Sequence, residues 1–492
     1  MSTFPPELLI EIFSRVCEPP RGSLDSATSD IRPGRQLAWT ESRSNIHNPS
    51  PFFLGKICRT WRELVWSSPR LWTYIHLVIL PGRCISQAEL LDDYIGRSMQ
   101  LPLTIVFRVM ECDNRDVERS FDQVLPLYRM IMGESHRWDT IDLFVPGNYS
   151  HLLDSICLSR SMIRRASIHQ RRGAFIHEFI HRSLRLQELS LKNVSFSSPP
   201  SPYLSLTHLS ASSTTVHGLR DLLRNVPNLR WCSLHTIVPF RYHTLTVGLD
   251  PVPANMPFHM MHLETFIIRS CPWRVVADIL SSIKFQRPFR EFRITSTTLT
   301  QELFNIIRRR VSPAACSLQV LELGSEWFNI PSNIIAGLGV LLQRSRSVTS
   351  LIMTFRGYET LDTERIKTIA DLLDPVWPPE PLYCSSSLDF SLLENRVLAP
   401  KLQHLELRMD KEGPSIAPIL MVLRLRWMFG SSLHSDGSST TRNGAEYIPK
   451  CTKIVSVRLP ESYRWEASEY LGDAIREGMI VEFGVNSKLL GV

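Results

Sequence analysis

Three stretches decide the fold: Leu186-Gln187-Glu188-Leu189-Ser190-Leu191, Leu318-Gln319-Val320-Leu321-Glu322-Leu323 and Leu402-Gln403-His404-Leu405-Glu406-Leu407. Each reads apolar-x-x-apolar-x-apolar. The last three residues alternate with the two-residue period of a strand that buries one face. The same unit recurs eleven times, with first positions Trp138, Ile163, Leu186, Leu206, Leu229, Leu263, Phe289, Leu318, Val348, Leu402 and Ile454. From Trp138 to Val348 the spacing runs between 20 and 34 residues, and the last two intervals lengthen to 54 and 52.

Between most copies lies an amphipathic helical pattern: Val216 to Val226, Trp273 to Ile283, Leu303 to Val311, Ile334 to Leu342 and Ile366 to Leu373. A strand followed by a helix cannot bury its own apolar side, so such units gain a core by stacking on their neighbours. Ahead of the first copy, Thr73 to Leu80 is β-branched and aromatic and predicts a strand. Ser86 to Ser98 then predicts a helix and Leu103 to Val109 another strand. The long intervals carry Pro- and Ser-rich residues 374–400 and Ser/Thr/Gly-rich residues 431–449, read as loops inserted in the array.

The copies resemble the core of leucine-rich repeats. That class places Asn or Cys three residues after the last leucine, where it bonds backbone groups that the turn would leave unpaired. Of the eleven copies only Cys271 matches. An ordinary α/β domain remains the alternative, because the six-residue pattern also describes any half-buried strand. Gly337-Leu338-Gly339 falls inside a helical stretch and predicts close packing there.

The first 72 residues have a different pattern. Leu8, Leu9, Ile12, Phe13 and Val16 form one helical face behind Pro5 and Pro6. Leu54, Ile57, Cys58, Trp61, Leu64 and Val65 form a second, closed by Ser67-Ser68-Pro69. Residues 21–51 turn to Ser, Thr, Asp, Asn, Gly and Pro, a composition that predicts a disordered insert. So small a helical segment has more apolar side chains than it can hide, and some of them should face a partner.

Phe4-Pro5-Pro6-Glu7-Leu8-Leu9-Ile10-Glu11-Ile12-Phe13 resembles the opening of the F-box family. Leu54 to Leu64 with Ser68-Pro69-Arg70-Leu71-Trp72 resembles its closing Val-Cys-Lys-x-Trp-Arg and Pro-x-Leu-Trp signatures. The layout is similar to fungal F-box proteins with irregular leucine-rich repeats, although Phe4 replaces the usual leucine and the insert sits where the family has a compact link. The resemblance implies an α/β chain with an all-α F-box over 1–72 and a leucine-rich-repeat-like solenoid over 73–492. It further implies a non-catalytic substrate-recognition subunit of a Skp/cullin/F-box ubiquitin ligase. The F-box would bind the adaptor, with cullin beyond it, through Pro5, Leu8, Leu9, Ile12, Leu54, Cys58 and Trp61. The repeats would hold a protein substrate. An F-box scaffold acting outside ubiquitylation is the second reading.

Other classes are weakly served. The chain has 55 basic and 48 acidic residues, a net +7 with no single basic stripe, so nucleic-acid binding is not expected. No apolar run reaches the ~20 residues of a membrane span, and the amino end lacks a signal-peptide pattern, so a cytoplasmic or nuclear protein is expected. Ten cysteines without a CxxC pair suit buried thiols better than disulfides or zinc. His177-Glu178-x-x-His181 matches a zinc-hydrolase motif, but Leu184 and Gln187 stand where a glycine and a third histidine would follow in one such class. No phosphate-binding loop or nucleophile elbow is present, and no cofactor or metal is expected.

Overall fold

The computed structural model describes residues 4–17, 50–79, 83–109, 117–145, 162–175, 185–195, 202–239, 258–311, 317–325, 334, 337–339, 341–342, 345–355, 363–374, 400–409, 414–431 and 454–484. The chain is mixed α/β and divides into two compact units, Met1–Ser190 and Leu191–Val492.

The first unit opens with helices α1 (Pro6–Cys17), α2 (Pro51–Ile57) and α3 (Arg59–Trp66), followed by a 3₁₀ turn at Pro69–Trp72. Strand β1 (Tyr74–Ile79), helix α4 (Cys84–Arg97), β2 (Leu103–Val109), α5 (Val117–Gly133), β3 (Trp138–Val145) and β4 (Arg165–Phe175) come next. β1 to β4 are parallel and pair in chain order, with Tyr74 opposite Thr104, Thr104 opposite Thr140 and Thr140 opposite Arg165. Parallel neighbours require a crossover, and α4 and α5 supply the first two. The strand expected over 73–80 and the helix expected over 86–98 are both found, each within two residues of the predicted bounds.

Strand β5 (Glu188–Ser195) ends in the second unit, which continues with β6 (His208–Ser212), α6 (Val216–Arg224), β7 (Trp231–His235), β8 (Phe258–Met260), β9 (Thr265–Cys271), α7 (Trp273–Ser282), β10 (Ile283–Phe285) and β11 (Glu291–Ser296). Helix α8 (Gln301–Val311), β12 (Val320–Ser325), β13 (Ser350–Phe355), α9 (Thr363–Leu373), β14 (His404–Met409), α10 (Ala417–Ser431), β15 (Ser456–Pro460), α11 (Arg464–Arg476) and β16 (Ile480–Gly484) complete it. Its main sheet runs β6-β7-β9-β11-β12-β13-β14-β15-β16, parallel wherever registers are described. β8 and β10 form a separate parallel pair. The sequence pattern predicted a helix through Ile283; instead the chain leaves α7 at Ser282 and Ile283 begins β10, with the β-branched side chain buried.

The six-residue pattern accounts for the core. At all eleven copies the first, fourth and sixth side chains are buried, from Trp138, Ile141 and Leu143 through to Ile454, Val457 and Leu459. Neighbouring copies align position on position: Cys232 pairs with Phe266, Phe266 with Phe292, Phe292 with Leu321, Leu321 with Leu351, Leu351 with Leu405 and Leu405 with Val457. A one-residue slip would put every one of these side chains on the solvent face, so burial itself fixes the register.

The backbone repeats too. In the second unit the carbonyl at the second pattern position accepts the N–H groups of the second and third positions of the next copy. Thr207, Arg230, Glu264, Arg290, Gln319, Thr349 and Gln403 all do so, at 2.7–3.1 Å. Asn193, Ser213, Thr236 and Ser270 each stand at the eighth position of a copy, and all four have positive φ between 51° and 57°. Left-handed backbone costs a non-glycine residue about 1 kcal/mol, so its recurrence marks one turn geometry imposed at one register. Cys271 does what the repeat class asks of that position, since its Sγ accepts the Ile237 N–H at 3.3 Å.

Glycines pack where the pattern is tightest. A Cβ on Gly324 would lie 2.6 Å from Thr354 Cβ and 3.2 Å from Thr295 Cγ2, and one on Gly337 would lie 2.7 Å from Phe304 Cε1. The close packing expected at 337–339 is thus present at Gly337.

Candidate functional site

Helix α1 starts where Pro5 and Pro6 fix the backbone: the Pro5 carbonyl accepts the N–H groups of Leu8 and Leu9 at 3.1 and 3.2 Å. One side of the helix faces inward. Phe13 and Cys17 are buried and Leu9 packs against them, in a cluster with Leu54, Val65, Leu71 and Trp72. Phe13 meets Trp61 with ring centroids 4.6 Å apart. The adjacent side faces outward: Leu8 is 52% exposed and Ile12 46%, one turn apart, with Val16 a further turn on. Phe4 just ahead of the helix is exposed as well. α1 is therefore apolar on two faces, only one of which has a partner within the described residues.

The second helical pattern is not one helix. Cys58 has φ −155° and ψ 169°, ending α2 and capping α3, where its Sγ accepts the Trp61 N–H at 3.4 Å. The competing local bond wins over helix continuation, as it does at caps generally. Breaking the chain there rotates the expected face apart: Leu54 and Val65 are buried, Trp61 and Leu64 half-buried, and Ile57 and Cys58 exposed. Phe53, one turn before Ile57, is exposed, as is Trp66.

The seven residues expected to meet an adaptor thus separate by accessibility. Pro5, Leu8, Ile12 and Cys58 are exposed, Leu9 and Trp61 are half-buried in the aromatic cluster, and Leu54 is only 4% exposed and belongs to the core. Phe53, Ile57 and Trp66 carry exposed apolar surface that sequence reasoning did not nominate as contact residues. The signal available was their helical spacing, but assuming one unbroken helix put Ile57 on the same face as Leu54, Trp61 and Leu64.

The helical segment does not stop at residue 72. Trp72, fully buried, donates from Nε1 to the Val65 carbonyl at 2.9 Å, and its ring sits 4.9 Å from Phe52 and 5.2 Å from Tyr94 of α4. The Arg97 guanidinium lies 5.0 Å from the Trp72 ring and 5.2 Å from the Trp66 ring. Burial, and after it the neighbouring Cys17, pushes the Tyr94 phenol up to about 12, opposed by a hydrogen bond with Ser50. The Cys17 thiol is pushed up to about 11 by burial. These groups join α1, α2, α3, the 3₁₀ turn and α4 in one core.

A Ser/His/Asp constellation also appears on the first unit's sheet. Asp142, 2% exposed, binds Arg108 Nη2 at 2.6 Å and stands 3.4 Å from His169 Nε2, and Ser167 Oγ is 2.8 Å from that same nitrogen. A nucleophilic triad needs the carboxylate and the hydroxyl on opposite ring nitrogens, so this arrangement orients side chains without activating Ser167.

On the second unit's sheet, Glu322 is a charge hub. Its side chain is 1% exposed and faces Arg408 at 2.6 Å, Arg293 at 3.4 Å and Arg269 at 3.8 Å. Arg293 is also held by Glu291, and Arg408 by Glu406. Among the described residues no group of His, Cys, Asp and Glu could hold a metal ion, and no helix is long and apolar enough to cross a membrane. His177, Glu178 and His181 lie outside the described residues, as do most of residues 21–51, 374–400 and 431–449. No family model matches this chain, and no curated protein matches it.

Proposed function

We propose that the chain is a substrate receptor of a Skp/cullin/F-box ubiquitin ligase, working in the cytoplasm or nucleus. Helices α1 to α3 form an F-box that docks on the adaptor, and a leucine-rich-repeat-like solenoid from β1 onward presents a target protein. The reading rests on the motif resemblance at both ends of the helical segment. The single structural observation that carries it is the second apolar face of α1, where Leu8 and Ile12 stay about half exposed while Leu9, Phe13 and Cys17 fill the core. An amphipathic helix needs one such face to fold, and the other costs solubility unless a partner covers it. The solenoid reading is supported by the aligned registers and the recurring two-bond backbone joint.

On this reading the chain catalyses nothing. It supplies proximity, raising the effective concentration of a target's lysines near the ubiquitin-loaded enzyme. The test is capture of purified adaptor subunit by the full chain. Leu8→Asp with Ile12→Asp buries two charges at the docking face, and each lost apolar contact is worth about 1.5–3 kcal/mol, so capture falls more than tenfold with the thermal unfolding midpoint unchanged. Equal capture by the parent and the variant overturns the reading. Adaptor capture without recruitment of cullin transfers it to a scaffold outside ubiquitylation.

A further inference from the structure

The charges on the second unit's open sheet face are unevenly satisfied. Along the strand edge that ends β7 and β9, His235 and Arg269 are direct cross-strand partners. Lys192 projects from β5, whose neighbour in this unit is β6. Besides Glu322, Arg293 has Glu291, and Arg408 has Glu406, which it shares with Arg458. Among the described residues Arg269 has only Glu322, at 3.8 Å, and shares it with Arg293 and Arg408. Lys192 has no ion pair among the described residues. Arg458 joins the group through Glu406 at 3.6 Å, so four arginines face three glutamates, and Arg269 stands farthest from its carboxylate. Together with Lys192 it leaves the β5–β9 side with uncompensated positive charge beside a neutral His235.

His235 sits within that field. Burial lowers its pKa first, and Arg269 and then Lys192 lower it further, so both cations stand close enough to oppose a third charge. Its Nδ1 pairs with Thr236 Oγ1 at 2.7 Å, which leaves Nε2 for another partner. The side chains are half-buried, a setting where a guanidinium fork and an ammonium bind anions more strongly than on open surface.

We propose that Lys192, His235 and Arg269 form a docking point for an anionic side chain, carboxylate or phosphate, carried by a partner polypeptide. An extended segment crossing the strand ends would place its acidic group between Arg269 and Lys192 and accept a hydrogen bond from the His235 ring. The proposal rests on the receptor reading for its biological sense, but its test contains no adaptor, so failure of one is distinguishable from failure of the other.

Full chain at low ionic strength is titrated with three probes: a labelled glutamate-rich peptide, a glutamine-rich peptide bearing one phosphoserine, and inorganic phosphate. At least one peptide binds and the His235 ring pKa moves upward on binding, read by NMR. Lys192→Gln with Arg269→Gln weakens binding at least tenfold, and Arg269→Lys retains most of it. Lys192→Gln alone, at a half-buried position without an ion pair among the described residues, weakens binding several-fold and keeps the test open should the double variant misfold. Tighter binding of the glutamate peptide identifies a carboxylate source and tighter binding of the phosphopeptide a phosphate source. Either upholds the site. Failure of both peptides, binding unchanged in the variants, or inorganic phosphate binding as tightly as the better peptide overturns it.

Discussion

Trp72 donates its indole N–H to the Val65 carbonyl at 2.9 Å, and this bond ties the last turn of α3 to the residues that lead into β1. The ring is fully buried among Phe52, Tyr94 and Arg97. Trp72→Phe keeps most of the apolar contact but strands a buried acceptor, which costs about 1–3 kcal/mol; Trp72→Ala adds a cavity and costs about 3–5 kcal/mol. Urea unfolding of the two variants checks the order. Equal loss in both would mean that the bond, not the ring, holds the junction.

Gly324 has no room for a methyl group. Gly324→Ala forces Thr354 or its strand to move and destabilises by about 1–3 kcal/mol. Gly96→Ala, in the last turn of α4 with nothing within 4 Å of the added Cβ, is neutral or stabilising by up to about 1 kcal/mol. Denaturant midpoints of the pair separate packing from helix propensity.

His235 gives stability a pH dependence. Its folded pKa lies below the ordinary 6.5, so the unfolded chain takes up the proton first as pH falls. The contribution is complete above about pH 7 and is lost through the interval below 6.5. His235→Gln flattens the unfolding midpoint between pH 7 and pH 5 relative to the parent. A parent profile as flat as the variant's would show that the histidine is not held neutral.

Cys17 and Cys58 differ in reactivity for a stated reason. Burial holds the Cys17 thiol at about 11, whereas Cys58 is exposed at the cap of α3. Iodoacetamide at pH 8 labels Cys58 under native conditions and reaches Cys17 only after unfolding. Mass mapping of the labelled peptides reads this directly.

Much of the strand ladder was legible because each copy advertises its buried face twice, in the alternation of its last three residues and in the repeat interval. Cys271 could be named with its task. The break at Cys58 was not legible, because Leu54, Ile57, Trp61 and Leu64 have uninterrupted helical spacing. Only the thiol's bond to the Trp61 N–H and the extended backbone at Cys58 reveal two short helices. Glu322 was invisible for another reason. It occupies an outward position in its copy, and its burial comes from arginines on three other strands, contacts that no local pattern encodes. The β8–β10 pair likewise depends on the partnering of two three-residue segments separated by 22 residues.

The two-bond joint at Thr207, Arg230, Glu264, Arg290, Gln319, Thr349 and Gln403 uses main-chain atoms alone, and the residues on either side range from threonine to arginine. The joint itself makes no demand on the side chains at the positions that form it. The main chain therefore lets a strand with its crossover be excised or duplicated by recombination, and what limits such a splice is the side-chain fit across it, as at Gly324 and Glu322.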